Sequence, residues 1–363
     1  LHDSNNPPAP DELEISIFGP GYGEAILLHV GQGQWVTVDS CIDPINPAIV
    51  VPLRYLQDIG VDCSTQVACV IVSHWHDDHI RGLSELMMAC KSARFCCPVA
   101  FSDKTFRLYA ATNANADPSP LGKTTKEIWN TLQTVKASTQ PCRHSGPDRL
   151  LYSNQLGIEL FSLSPSDARI QQFLSRMAAS LPQAFQPMRR SPDLNPNDIA
   201  TALLLNLPGD AVLLGADLEE SPGKGWSVIL ADSQCLKAPA SVHKVAHHGS
   251  VTGHCDEVWA KLLGRDPIAV TTPWENGGKW LPTDNDIKRI SALTPNAYLT
   301  AMPGSRSTIR RDNAVERELK NMGLKLSLVQ PRAGFVQLRR KFEEAAWRVK
   351  TFGTAGPMRH MQA

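Results

Sequence analysis

The stretch Val70-Ile71-Val72-Ser73-His74-Trp75-His76-Asp77-Asp78-His79-Ile80-Arg81-Gly82 sets three histidines and two aspartates within six positions, directly after an apolar run. Alternation in an extended segment turns His74 and His76 to one side, while Asp78 and His79 lie on the turn that follows and face a second point. One short loop can thereby serve two metal ions. Imidazole nitrogen and carboxylate oxygen, with no thiolate, suit zinc, iron or manganese, and such an ion with an open position draws the pKa of bound water toward neutrality. The competing reading is a solvated loop that holds several histidines by chance. It fails on the crowding of these residue types immediately behind a hydrophobic strand.

Working outward, Glu12 to Phe18 alternates as an opening strand, Gly19 to Glu24 is a turn, and Ala25 to Val30 is a second strand. Gln34 to Ser40 gives a third strand that ends in Asp39. Further on, Ala200 to Leu207, a Pro208-Gly209-Asp210 turn and Ala211 to Asp217 read as a hairpin that delivers a carboxylate. For Asp217 the structural alternative is an N-cap on Leu218-Glu219-Glu220. Ser241-Val242-His243-Lys244-Val245-Ala246-His247-His248-Gly249-Ser250 then leads an apolar strand into paired histidines and a glycine.

In this order the motifs resemble those of the metallo-β-lactamase fold hydrolases, over most of residues 13 to 340. The resemblance implies an α/β chain folded as an αββα four-layer metallo-β-lactamase sandwich, with two mixed sheets face to face, helices outside and a metal centre at one edge. It implies two divalent metal ions, zinc or manganese, held by His74, His76, Asp78, His79, Asp217 and His247. Asp217 is then the bridging ligand, and Asp39 supports the metal loop from beneath. Asp78, Asp77 and His248 are the implied catalytic groups: Asp77 to orient the nucleophile or bond a ligand histidine, His248 as substrate-side group and proton donor to the leaving oxygen. A strand end can present either ring of the pair, so the sequence leaves His247 and His248 open as the ligand. Many members carry a further histidine between the loop and the bridging aspartate. The candidate is His144 in Pro141-Cys142-Arg143-His144-Ser145-Gly146-Pro147, against the alternative of a solvated loop histidine. Without His144, one metal keeps His74, His76 and Asp217 from the protein.

The H-H-G-S form resembles the subgroup that contains the nuclease-like domain of competence DNA-uptake channel proteins. The implied reaction is hydrolysis of a phosphodiester in DNA, RNA or a nucleotide by a hydroxide held between two metals about 3.5–4 Å apart. One rival is a hydrolase of a lactone, thioester or β-lactam on the same site. The other is a non-catalytic regulatory module clamped by its metals. An oxygen-reducing di-iron version would place a carboxylate where this chain has His76.

At 363 residues, with 42% apolar and 20% charged residues and a formal net charge of zero, the chain has the composition of a soluble globular protein. No segment approaches the roughly twenty uninterrupted apolar residues of a membrane span, and no signal-peptide pattern opens the chain. Nine cysteines, an odd number without C-x-x-C pairs, read as reduced thiols, so a cytoplasmic location and no membrane partner are expected. The expected organisation is one domain over residues 1–345, with an insert at about 90–150, a Pro-rich connection at about 182–197 and a tail over 346–363. The inserts can wall the cleft and leave room for a regulatory protein partner. Thr124 to Val135 and residues 166 to 181 read as helices. Trp274 and Trp280 offer stacking on a base or plain apolar packing. Residues 301–350 hold twelve Lys or Arg against five Asp or Glu, among them Arg306, Arg310, Arg311, Arg332, Arg339, Arg340 and Lys341. They are suited to hold phosphates, or to form a solvated face.

Overall fold

The computed structural model describes residues 6–19, 23–116, 120–138, 141–180, 194–276, 279–302, 313–322 and 334–358. Its frame is two eight-stranded sheets. The first begins with β1 (Glu12–Phe18), β2 (Ala25–His29), β3 (Trp35–Val38), β4 (Val67–Ile71), β5 (Arg94–Pro98) and β6 (Arg143–Ser145). The second takes β7 (Arg149–Ser153), β8 (Glu159–Ser162), β9 (Leu203–Leu207), β10 (Asp210–Leu214), β11 (Ala240–Lys244) and β12 (Leu263–Thr271). A separate hairpin, β13 (Trp274–Asn276) and β14 (Lys279–Leu281), precedes β15 (Ala297–Leu299), β16 (Gly334–Lys341), β17 (Arg348–Gly353) and β18 (Gly356–Pro357). The strand orders are β17-β16-β1-β2-β3-β4-β5-β6 and β18-β15-β12-β11-β10-β9-β8-β7. Strands β3 to β6 run parallel, as do β10, β11, β12 and β15.

Alternation along the strands decides which side chains meet. Leu203, Leu205, Val212 and Leu214 enter the layer between the sheets, where they join Ile15, Ile17, Ile26, Leu28 and Ile71. Their neighbours Leu204 and Leu213 point the other way, toward Trp226 and Ile229. Helices close both outer faces. On the first sheet these are α1 (Val51–Asp58), α2 (Cys63–Gln66), α3 (Asp77–Ile80), α4 (Leu83–Ala89), α5 (Lys104–Ala116), α6 (Pro120–Ala137) and α7 (Asp167–Ser180). They contribute Leu56, Cys63, Ile80, Leu86, Phe106, Ile128 and Phe173 to the apolar cluster on that face. On the second, α8 (Trp226–Asp232), α9 (Asp256–Lys261) and α10 (Asp284–Leu293) supply Ile229, Val258, Ile287 and Ile290. Helix, sheet, sheet and helix make the expected αββα sandwich; α6 spans the stretch expected as a helix from Thr124 to Val135, and α7 fills all but the end residues of the one expected over 166 to 181.

The structure revises the expected boundaries. Residues 90–150 are not an appendage, because β5 and β6 extend the first sheet in parallel beyond β4, and α5 and α6 pack on its face. Residues 346–363 are not simply a tail: β17 pairs with β16 from Gly334 opposite Gly353 to Arg339 opposite Arg348, and β18 pairs with β15. Of the Pro-rich connection, residues 182–193 lie outside the described residues, as do Arg306, Arg310, Arg311 and Arg332 of the basic set. Arg339 and Arg340 are held by Glu14 and Asp210, at 2.7 and 3.0 Å, and Arg340 also lies over the Trp347 ring. Those two arginines therefore brace strands. Among the described residues no helix is long and apolar enough to cross a membrane.

The two sheets meet at the C-terminal ends of β3, β4, β10 and β11. There the Thr201 N–H donates to the Ser73 carbonyl at 3.0 Å, and the Glu24 N–H to the Asp78 carbonyl at 2.8 Å.

Candidate metal centre

Beyond β4 the chain stays extended to His76 and then turns into α3. Trp75 packs edge-on against Phe106 and Tyr109 in the helix-covered core, which directs His74 and His76 to the opposite side with their rings 5.0 Å apart. Helix α3 brings Asp78 and His79 back toward the same edge, both buried. From the other sheet, β10 passes so close to the segment after β11 that a Cβ on Gly215 would lie 2.8 Å from the Ala246 nitrogen. Ala216 then takes φ 45° and swings Asp217 inward. After β11, His247 and His248 both take positive φ, 48° and 52°, so this short turn presents the second ring of the pair to the site.

Asp217 is the hub. Its Oδ2 lies 3.8 Å from His74 Nε2, 3.5 Å from His79 Nε2 and 3.3 Å from His248 Nε2. His248 Nε2 is also 3.2 Å from Asp78 Oδ2, and His74 Nε2 is 3.1 Å from His76 Nδ1. Donor atoms thus fall into two sets that share Asp217: His74 and His76 on one side, and Asp78, His79 and His248 on the other.

Hydrogen bonds around the rim fix the state of each ring. Ser73 Oγ donates to Asp39 Oδ2 at 2.7 Å, so at 2.9 Å it accepts from His74 Nδ1. His79 Nδ1 donates to Asp39 Oδ2 at 2.8 Å, and His248 Nδ1 to the Thr272 carbonyl at 3.0 Å. All three rings spend Nδ1–H on the surroundings and aim Nε2 at carboxylates or another ring. Lone pairs facing carboxylate oxygens repel unless positive charge lies between them. Asp217 Oδ1 and His79 Nε2 are buried without a hydrogen-bond partner, as such a gap requires. The same demand shows in the proton affinities. Burial alone would lower His79 and His248, but Asp217 and Asp78 override it, hold His79 well above its ordinary value and push His248 up to about 9. Burial would raise Asp78 and Asp217, yet His79 and His248 hold both carboxyls below the usual range. The cluster takes either protons or cations, and its nitrogen and oxygen donors fit two borderline divalent ions.

Several expected residues sit differently. His248, and not His247, lies within the donor set, against the expectation that left the pair open and set His248 on the substrate side. His247 instead places Nδ1 2.7 Å from Thr252 Oγ1 and accepts from Asn197 Nδ2 at 3.4 Å, half-buried outside the cluster. Asp77 faces Arg81, whose Nε donates to it at 2.7 Å, and joins neither set, because it occupies the first turn of α3 beside that side chain. His144 lies on β6, opposite Cys97 of β5, and groups with cysteines. Asp39 is placed under the loop, where φ 60° lets its carboxylate reach the Ser73 N–H at 2.7 Å as well as His79. Ser73, inside the motif, has no role in the expected set, yet it links Asp39 to His74. Equally unforeseen is the fully buried Lys244, 2.5 Å from Glu24 and 3.2 Å from the Ala216 carbonyl, which braces the turn before Asp217. A lysine amid an apolar strand was the available signal.

Beyond Leu218, the chain neighbour of Asp217, lies a cleft of about 640 Å³ whose walls also include Asn197 and Thr252 and none of the six donor residues themselves. Its charged lining is Asp148, Asp167, Asp198, Glu219, Glu220 and Asp232 against Arg169 and Lys224. On another side the Trp274 ring stacks against His248 at 6.5 Å between centroids.

No protein-family model and no curated protein matches this chain. Among solved structures it is similar to the dizinc quorum-quenching lactonase AidC, with 13% identity, 72% of this chain and 79% of that chain covered and a TM-score of 0.36. It is also similar to the hydrolase AbOPH of the β-lactamase superfamily, with 13% identity, 58% and 72% coverage and a TM-score of 0.34. A β-lactamase domain protein from Burkholderia ambifaria aligns at 16% identity, over 73% of this chain and 70% of that chain, with a TM-score of 0.32.

Proposed function

We propose that this chain is a metal-dependent hydrolase whose centre is built on Asp217. The observation that carries this reading is the set of three imidazole Nε2 atoms converging on one buried carboxylate with every Nδ1 already committed. His74, His76 and Asp217 would hold one divalent ion, and Asp78, His79, His248 and Asp217 the other. Two such ions supply an activated water at neutral pH and polarise the bond to be cleaved. The chain's residues do the rest. Asp39 and Ser73 fix the His74 and His79 rings, and the Thr272 carbonyl fixes His248. The proton for the leaving oxygen is assigned to His247, whose ring lies 6.2 Å from that of His248 and whose partners Asn197 and Thr252 stand on the cleft wall; it would give up the Nδ1 proton that now faces Thr252 Oγ1.

The substrate class proposed is a phosphodiester, in nucleic acid or a nucleotide, on the strength of the His247-His248-Gly249-Ser250 form and the suitability of paired ions for in-line displacement. One observation favours a second reading. Six carboxylates against two cations make the cleft repel a polyanion and accept a small uncharged ester or lactone. Purified protein loaded with zinc or manganese, assayed on DNA, RNA and a lactone series beside an Asp78→Asn control, separates the two. Nucleic-acid cleavage lost in the control supports the phosphodiesterase, and lactone turnover alone supports the second reading. No turnover of either class by fully metallated protein contradicts the hydrolase.

A further inference from the structure

The donors around His144 form a separate group. In the parallel pairing of β5 with β6, Cys97 stands opposite His144, and Cys142 lies two residues before His144 and so on the same face. The three donor atoms form a nearly equilateral triangle: Cys97 Sγ to Cys142 Sγ 3.7 Å, Cys97 Sγ to His144 Nδ1 3.8 Å, and Cys142 Sγ to His144 Nδ1 4.0 Å. A tetrahedral ion with bonds of about 2.3 Å to sulfur and about 2.05 Å to nitrogen spaces two sulfurs about 3.8 Å apart, and a sulfur and a nitrogen about 3.6 Å apart. The triangle therefore has the dimensions of one face of such a coordination sphere. Cys97 is buried at the base, while Cys142 and His144 are half-buried at the sheet edge, which leaves a fourth position for water or a small ligand.

We propose that Cys97, Cys142 and His144 form a third metal position that takes one thiolate-preferring divalent ion of the zinc class. Its two-sulfur, one-nitrogen set differs in kind from the nitrogen and oxygen sets around Asp217, so the two places select differently among available metals. The ion would pin the edge strand β6 to β5. Strand β5 in turn pairs with the segment that carries the metal loop, since the Val72 N–H donates to the Cys96 carbonyl at 2.9 Å.

Cobalt(II) reads this place separately, because only a thiolate ligand gives a near-ultraviolet sulfur-to-cobalt charge-transfer band. Chelator-stripped full-length protein loaded with cobalt is expected to show that band. Cys142→Ser should reduce it by about half or more, as one of two thiolates is lost. His144→Gln, which leaves both thiols in place, should shift the cobalt titration to higher concentration. Asp78→Asn should leave the band intact, so a failed hydrolase and a failed thiolate site are told apart. Absence of the band in wild-type protein, or a band indifferent to both Cys142→Ser and His144→Gln, would overturn the proposal. So would a Cys97–Cys142 disulfide found by mass spectrometry of the unreduced protein as purified, because it removes the thiolates.

Discussion

His247 and His248 are neighbours in the chain with opposite surroundings, and substitution should separate them. His248→Ala is expected to lose one metal position, with affinity there falling by more than the roughly 10–100-fold that follows removal of a group that merely supports a ligand. His247→Gln should keep both metals and lower kcat about 100-fold or more; metal analysis beside steady-state kinetics checks the pair. The His74-x-His76-x-Asp78-His79 spacing was legible because alternation is a local rule, and Trp75 on the opposite side obeys it. The choice between the paired histidines was not legible, since it depends on two consecutive residues in the left-handed region, in the turn that follows β11 where Ala246 comes up against Gly215. A second residue-level expectation concerns His29. It donates from Nδ1 to the Glu12 carbonyl at 2.7 Å and accepts from the Gly33 N–H at Nε2, so protonation would remove that acceptor. Burial lowers its pKa from 6.5 to about 4. Between those values the unfolded chain binds the proton and the folded one does not, so stability falls as pH drops through this window, by up to about 3 kcal/mol. Denaturant titrations at stepped pH should show a shallower acid limb for His29→Gln than for the parent.

Strands and turns carry the next level of the account. Gly215 is where β10 comes within contact of Ala246, and its own φ is unexceptional, so the constraint there is space. Gly215→Ala should push the two segments apart at a cost of about 1–3 kcal/mol and move Asp217 relative to His248. The expected result is a lower unfolding temperature together with weaker zinc binding in calorimetry; unchanged binding would show that the close approach does not set the site. Strand β1 was readable from its alternation and β2, β3, β9 and β10 as apolar runs bounded by turn residues, and all five fall within a few residues of their expected positions. Strands β5, β6 and β17 escaped. Arg94-Phe95-Cys96-Cys97-Pro98 ends in a proline, Arg143-His144-Ser145 is three residues among turn formers, and Arg348 to Gly353 is polar because it lies at a sheet edge. Their pairing partners, rather than their own composition, make them strands.

For the molecule as a whole, the two sheets are joined by a shared apolar layer and by chain ends that close their edges. Removal of residues 347–363 would strip β17 and β18, the Trp347 N–H bond to Ser241 Oγ at 2.9 Å, and the ring under Arg340. Such a truncation should bare β16 as an open edge, and therefore aggregate and unfold several degrees lower, at roughly 2–4 °C per kcal/mol lost; light scattering during a thermal ramp reports both. The fold also explains why the centre sits where it does, since it collects the C-terminal ends of parallel strands from both sheets, where turns can converge without breaking a ladder. The most direct test is a crystal of zinc-soaked protein, measured for anomalous scattering at the zinc edge. Two peaks flanking Asp217, one against His74 and His76 and the other against Asp78, His79 and His248, are the predicted result. An absence of density at Asp217, or a peak held by His247 with His248 turned away, would contradict it.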